Sequence, residues 1–235
     1  MAVNIAQASA LSPLSAQNPL TLKEVWKGIQ PNSCPHSYNF HMHTRASDGQ
    51  LEPQAVMQQA VTIALKGMAI TDHHTIRGYQ QAKIWLENHQ QTHPHTLLPQ
   101  LWTGVEINAN LCQTDVHILG YAFDPTHPAM QPYLQGKHAQ GKDIQAGNVI
   151  NALHQAGGLA VLAHPARYLK PAEQLIPMAA RLGIDGVETY YAYGNPFPWT
   201  PSLKQTAQVK QLGDAYGLFN TCGTDTHGVN LLKRL

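Results

Sequence analysis

The sequence predicts an α/β fold built on a largely parallel sheet, and three observations predict it. Short β-favouring apolar runs alternate with longer helical patterns, seven such runs recur along the 235 residues, and no flexible linker or composition shift divides them. The runs are "YNFHM" (38–42), "GMAIT" (67–71), "LWTGVEI" (101–107), "DVHILGYA" (115–122), "GLAVLA" (158–163), "DGVETY" (185–190) and "GLFNTCGT" (217–224). Between them, helices are expected over Pro53 to Leu65, Ile76 to Gln90, Asp143 to Gln155, Pro171 to Leu182 and Pro201 to Tyr216. The link between the third and fourth runs is too short for a crossover, so that pair is expected to be antiparallel. Ahead of this series, residues 1–35 read as a lead-in. It is loosely packed over its first twenty residues and then helical at "TLKEVWKGI", where Thr21 and Glu24 have capping-box spacing. Residues 36–235 read as a single domain.

Composition narrows the function. The hydrophobic share of 43% is ordinary, but the charged share of 12% is about half the usual one. Fourteen histidines take up part of that missing polarity. With a formal charge of +1 there is no bulk electrostatic case for binding nucleic acid or a membrane surface, and any attraction for anions must be local. Cys34, Cys112 and Cys222 show no paired spacing and read as reduced thiols. A secretory signal pattern and a spanning apolar stretch are both lacking, which makes a soluble, cytoplasmic protein the expectation. The histidine-rich "ENHQQTHPHTLLP" (87–99) reads as a solvated loop, since it holds no carboxylate beyond Glu87.

The remaining histidines and carboxylates fall at strand ends. His41, His43 and Asp48 follow the first run, Asp72 and His73 the second, Glu106 closes the third, His164 follows the fifth, and Asp225 with His227 follow the seventh. His117 lies early in the fourth run, which suits a strand that runs antiparallel and presents its start at the same rim. Residues i and i+2 of a strand point the same way, so His41 with His43, and Asp225 with His227, each aim at one point. The two pairs meet if the sheet closes. Nitrogen and oxygen donors without thiolates suit zinc, manganese or iron, and nine of them exceed what one ion can use. Two or three divalent ions sharing a bridging carboxylate would leave a positive local charge, which favours an anionic substrate such as a phosphate ester.

The segments "FHMHTRASDG", "MAITDHHT", "GVEI", "HILGY", "LAHPARY" and "GTDTH", in this order and spacing, resemble the motifs of the PHP (polymerase and histidinol phosphatase) domain over about residues 36–228. The pattern is most like that of the bacterial PHP phosphoesterases that include RNase AM and the nucleoside 3′,5′-bisphosphate phosphatases. The resemblance implies a distorted, TIM-like seven-stranded (β/α) barrel with a trinuclear metal cleft at the strand C-termini. It also implies a ligand set in which His41, His43, Glu106 and Asp225 hold one ion. Glu106 would bridge to a second held by His117 and His164, and Asp48, His73 and His227 would hold a third. Two departures stand out. His74 follows "TDH" where an aspartate is frequent, and the chain runs from "HILGYAFDPTHP" to "LAVLAHP" without the inserted domain of RNase AM-like members.

The chemistry expected is in-line attack on phosphorus by a metal-bridged hydroxide, which needs no side-chain nucleophile. The substrate is expected to be a small phosphorylated metabolite or a nucleotide, a short oligonucleotide end included. Arg167 is the leading candidate for a phosphate clamp and Arg45 a second, because guanidinium offers two parallel donors. His74 is placed either to donate a proton to the leaving group or to orient His73. Tyr190, Tyr191 and Tyr193 are candidates for stacking on a base or ribose. Two other classes fit the same donors: an amidohydrolase-like carbon–nitrogen hydrolase, and a non-catalytic metal-binding module.

Overall fold

The computed structural model describes residues 13–235. Of the first twenty residues, expected to be loosely packed, 1–12 lie outside them, whereas most of 13–20 is helical. Two N-terminal helices, α1 (Pro13–Ala16) and α2 (Pro19–Lys27), precede β1 (Tyr38–Asn39), α3 (Pro53–Ile63), β2 (Gly67–Ala69), α4 (Arg77–Thr92), β3 (Gln100–Trp102), β4 (Gly104–Leu111) and β5 (Thr114–Tyr121). Then follow α5 (Ala146–Gln155), β6 (Leu159–Leu162), α6 (Ala172–Arg181), β7 (Gly186–Tyr190), α7 (Leu203–Ala215) and β8 (Phe219–Cys222). The α2 helix is capped by Asn18, whose Oδ1 accepts from the backbone N–H groups of Leu20 and Thr21. It therefore starts before the expected Thr21, because Pro19 supplies a first-turn φ and needs no donor partner.

The strands form two sheets, a parallel β1-β2-β3 and a mixed β4-β5-β6-β7-β8. β5 is antiparallel to both β4 and β6, as the short link requires. The run "LWTGVEI" divides at Thr103, whose N–H donates to Ala16 O and whose carbonyl accepts from Ala122 N–H. Its first half thus pairs with β2 and its second with β5. The ladders do not close into one continuous sheet. The sheets meet at two seams through a few backbone bonds, each with at least one partner beyond a strand end. Phe40 N–H donates to Cys222 O, Asp225 N–H to His41 O and His43 N–H to Thr226 O at one seam; Glu106 N–H donates to Asp72 O and His74 N–H to Glu106 O at the other.

Alternation along the strands sorts two environments. Val105, Ile107, Val116, Ile118, Ala160, Leu162 and Val187 face outward into a core completed by α5, α6 and α7. Phe40, Ala69, Trp102, Leu119, Tyr121, Leu159, Val161 and Tyr190 face inward, and Leu22 and Trp26 of α2 pack among them. The Trp26 ring centroid lies 5.4 Å from that of Tyr121, 5.9 Å from Phe219 and 6.1 Å from Phe40. The lead-in is thus a packed floor from α2 onward, because its apolar face fills the space between the sheets. None of the helices among the described residues is long and apolar enough to cross a membrane.

Candidate metal centre

At the opposite end of the same inner face, polar residues replace apolar ones. The structure gathers all nine residues of the implied ligand set, with Glu106 not closing its strand as expected but lying inside β4, which continues to Leu111, and His117 inside β5. The ligand-capable atoms of His41, His43, Glu106 and Asp225 all lie within 4.8 Å of one another, and the same holds for His43, Asp48, His73 and His227. Two further groups, His73 with Glu106 and His117, and His41 with His164 and Glu188, meet the same limit. Glu106 stands at the centre. Its Oε2 lies 3.0 Å from Nε2 of both His41 and His43, while its Oε1 lies 2.6 Å from His117 Nδ1 and 3.6 Å from His164 Nε2. One carboxylate therefore addresses two histidine groups with two different oxygens.

Asp225 is divided in the same way. Oδ1 lies 3.3 Å from His41 Nε2 and 3.2 Å from His43 Nε2. Oδ2 instead accepts from Tyr191 Oη at 2.7 Å, Arg234 Nε at 2.8 Å and Arg167 Nη1 at 3.2 Å. Arg167 thus reaches the centre but bonds a carboxylate there. Arg45 does not reach it; it pairs with Glu52 at 3.3 Å on the surface. His74 is buried, and its Nε2 lies 3.0 Å from Asn108 Oδ1, whose Nδ2 is 3.2 Å from His117 Nε2. It therefore connects to His117, not to His73. Tyr191 touches the centre through Asp225, Tyr193 Oη accepts from Ala166 N–H, and Tyr190 belongs to the floor.

Two residues essential to this arrangement escape a reading based on strand ends. Glu188 is fully buried within β7. Its Oε1 lies 2.9 Å from His41 Nδ1 and its Oε2 accepts from His164 N–H at 2.9 Å. A bond from His41 Nδ1–H to Glu188 leaves the Nε2 lone pair facing the cluster, the tautomer a metal ligand needs. The signal was present as "GVET" at 186–189, a match to "GVEI" at 104–107. The other is Arg234, carried to Asp225 when the C-terminal residues fold back so that His227 N–H donates to Arg234 O. Asp72 has a supporting part. It accepts from Thr44 N–H, Thr44 Oγ1 and Ser47 Oγ, each at 2.7 Å, and so pins the loop that carries Asp48. Gly223 permits the close approach of β1 to β8, since a Cβ there would lie 2.2 Å from His41 Cβ. His74, His164 and Asp225 all have positive φ, at 53°, 28° and 53°, a left-handed backbone at strand ends that the surrounding contacts must enforce.

The electrostatics are those of a cation site. Burial opposes charge on His41, but Glu188, Glu106 and Asp225 outweigh it and raise its pKa well above the ordinary value. Burial also opposes charge on His43, yet bonds and charge from Asp225 and Glu106 raise it from 6.5 to about 9. Glu106 and Asp225 are held well below the carboxylate range against the cost of burial, mainly by His41 with His117 and by His41 with His43. Protons on imidazole thus offset negative charge where cations would do the same. Burial, aided by His43 and His117, lowers His73 to about 4, and burial lowers His164 as well, so both present neutral rings. Buried His43 Nε2, His117 Nδ1 and Glu106 Oε1, which face the cluster, lack an aligned hydrogen-bond partner, a cost of about 1–3 kcal/mol each that coordination would remove. The donor set fits divalent metal ions.

Beside the cluster opens a cavity of about 490 Å³ lined by residues including Ser47, Asp48, His73, His74, Arg77, His117, Lys137 and His138. An α/β frame with a histidine–carboxylate cluster at one rim of its strands and an adjoining polar cleft defines an α/β protein whose residues could hold metal ions. The family follows from comparison: the PHP domain matches residues 39–191, and the chain belongs to that family. A 5′-3′ exoribonuclease of Haemophilus influenzae is 34% identical over 144 residues, covering 56% of this chain and 50% of that protein. A 3′,5′-nucleoside bisphosphate phosphatase of Chromobacterium violaceum is 30% identical over 122 residues, 52% of this chain and 39% of that protein. The chain spans about half the length, or less, of these curated relatives. Among solved structures, an amidohydrolase of C. violaceum with bound sulfate and no metal superposes with a TM-score of 0.67 at 21% identity, covering 82% of this chain and 88% of that one. A candidate metal-dependent phosphoesterase of Bifidobacterium adolescentis gives 0.65 at 22% identity, covering 87% and 94%.

Proposed function

We propose that residues 36–235 form one metal-dependent phosphoesterase domain that hydrolyses a small phosphorylated metabolite or nucleotide, a short oligonucleotide end included. The observation that carries this reading is the division of the two Glu106 oxygens between two histidine groups, an arrangement in which one carboxylate could serve two ions. Relatives named for an exoribonuclease and for a nucleoside bisphosphate phosphatase support it. We read the two sheets as a distorted seven-stranded (β/α) barrel opened at its seams, with β3 and β4 as one strand broken at Thr103. The backbone bonds across both seams support that description.

His41, His43, Asp48, His73, Glu106, His117, His164, Asp225 and His227 would hold two or three manganese, zinc or iron ions, which when bound would acidify water and neutralise phosphoryl oxygens. The remaining roles fall to this chain's own side chains. Glu188 fixes the His41 tautomer. Arg234 and Tyr191 anchor Asp225 Oδ2, which frees Arg167, half-exposed beside them, to bind an incoming phosphate with two parallel donors. His74 orients His117 through Asn108. Arg45, tied to Glu52 away from the cluster, keeps only the part of an outer cation.

The deciding experiment measures phosphate release by manganese-loaded protein from sugar phosphates, nucleotides and nucleoside bisphosphates, with and without a chelator. Chelator-sensitive turnover of one class is the expected result. Turnover of amides but no phosphate ester would replace this reading with carbon–nitrogen hydrolysis, and metal uptake without any turnover would leave a binding module.

A further inference from the structure

The segment joining β5 to α5 has a second role in the structure, as one wall of the 490 Å³ cavity. "LQGKHAQ" (134–140) is tethered there by its backbone. Gly136, at φ +70°, donates its N–H to His74 O at 2.8 Å. The His74 carbonyl is turned toward it by the positive φ of His74, and the His138 ring lies 5.0 Å from that of His74. This holds Lys137 and His138 over the cavity. Across from them stands Arg77, the first residue of α4, whose guanidinium bonds Ala46 O at 3.1 Å. Among the described residues neither Arg77 nor Lys137 has a carboxylate within ion-pair distance, and the one carboxylate lining the cavity, Asp48, is turned to His227 at 3.2 Å. His74 and Asn108, joined at 3.0 Å, close the inner end of the cavity.

Two cations without a carboxylate partner, histidines and Ser47 thus line a space large enough for a nucleotide-sized group, next to the cluster and without Arg167 among its lining residues. We propose that this cleft is a subsite for a second anionic group of the substrate, with Arg77 and Lys137 as the residues that set specificity for it. The proposal rests on the phosphoesterase reading for its kinetics but not for its binding. A carboxylate or phosphate held between two cations with imidazole donors nearby is recognised by charge-assisted hydrogen bonds. Both cations are exposed and lie outside the ligand set; Arg77 also bonds Ala46 O in the loop that carries Asp48, which Asp72 pins independently through Thr44 and Ser47, so metal content is measured on the double variant beside its kinetics.

The test compares adenosine 3′,5′-bisphosphate with adenosine 3′-monophosphate and adenosine 5′-monophosphate on manganese-loaded wild type and the Arg77→Ala/Lys137→Ala double variant. The variant should lose about 10- to 100-fold in kcat/KM on the bisphosphate, mainly through KM, while its turnover of the better monophosphate changes less than about twofold. Equal losses on both, or no loss on either, would overturn the subsite. If wild type hydrolyses none of these, calorimetric titration of the bisphosphate decides separately: binding weakened tenfold or more in the double variant supports the subsite, and unchanged or absent binding rejects it. Failure of hydrolysis and failure of the subsite are therefore distinguishable.

Discussion

The inner face shared by the two sheets is apolar at one end and ionic at the other, and single strands contribute to both. On β5, Tyr121 packs against Trp26 at the floor while His117 meets Glu106 at the rim. On β7, Tyr190 belongs to the floor and Glu188, two residues earlier, holds His41. The floor gains stability from burial, whereas the rim gives some back by keeping carboxylates and imidazoles out of water without full hydrogen bonding. The difference teaches that the rim is held in place by the floor and by its own charge balance. Each half can then be broken separately.

Replacing Glu106 with Gln should have the largest effect. It removes the charge common to both histidine groups, and phosphoester turnover should fall at least about a thousandfold, beyond the 10- to 100-fold typical of a ligand's supporting partner. Metal content by atomic emission should fall with it while the circular dichroism of the fold stays. Trp26→Ala attacks the floor and should cost about 3–5 kcal/mol in urea unfolding, with metal content per folded molecule unchanged. If the variant lost metal while folded, floor and rim would not be separable. Glu188→Gln removes the charge that fixes the His41 tautomer, and metal affinity by chelator competition should weaken about 10- to 100-fold. Arg167→Ala should act chiefly on KM for the phosphoester, and unchanged kinetics would remove it from the substrate's path.

A smaller, pH-dependent contrast separates loaded from stripped protein. The His43 pKa is raised from 6.5 to about 9, so without metal its protonated form contributes stability that is complete below about pH 6.5 and lost as pH rises through about 9. Chelated protein should therefore show a falling unfolding midpoint between these values. Metal-loaded protein, with a cation in place of the proton, should not show that fall in the same window.

What the sequence made legible was the rim. A polar residue that interrupts an apolar β-run at its end is conspicuous, and the i, i+2 spacing of His41 with His43 and of Asp225 with His227 gave their common direction before any fold was known. Glu188 was less legible because it lies inside its strand, where an alternating carboxylate reads as facing solvent. Arg234 was hidden because its role depends on a chain reversal after His227 that no local pattern encodes. The start of α2 was misplaced because Thr21 and Glu24 imitate a cap, while Asn18 followed by Pro19 is the actual one. The division of "LWTGVEI" at Thr103 arises from the backbone of Ala16 and Ala122, distant in sequence, and the eighth strand with it.

The seam between β1 and β8 sets an order of events during synthesis. His227 and Asp48 are 179 positions apart in the chain, yet their side chains stand 3.2 Å from each other. No emerging fragment that lacks residues 225–227 can assemble the groups containing Asp225 or His227, and the entropy of closing so long a loop is met only when the sheets around it have formed. Metal retention by those groups is therefore a late checkpoint, reporting that the two ends of the fold have found each other.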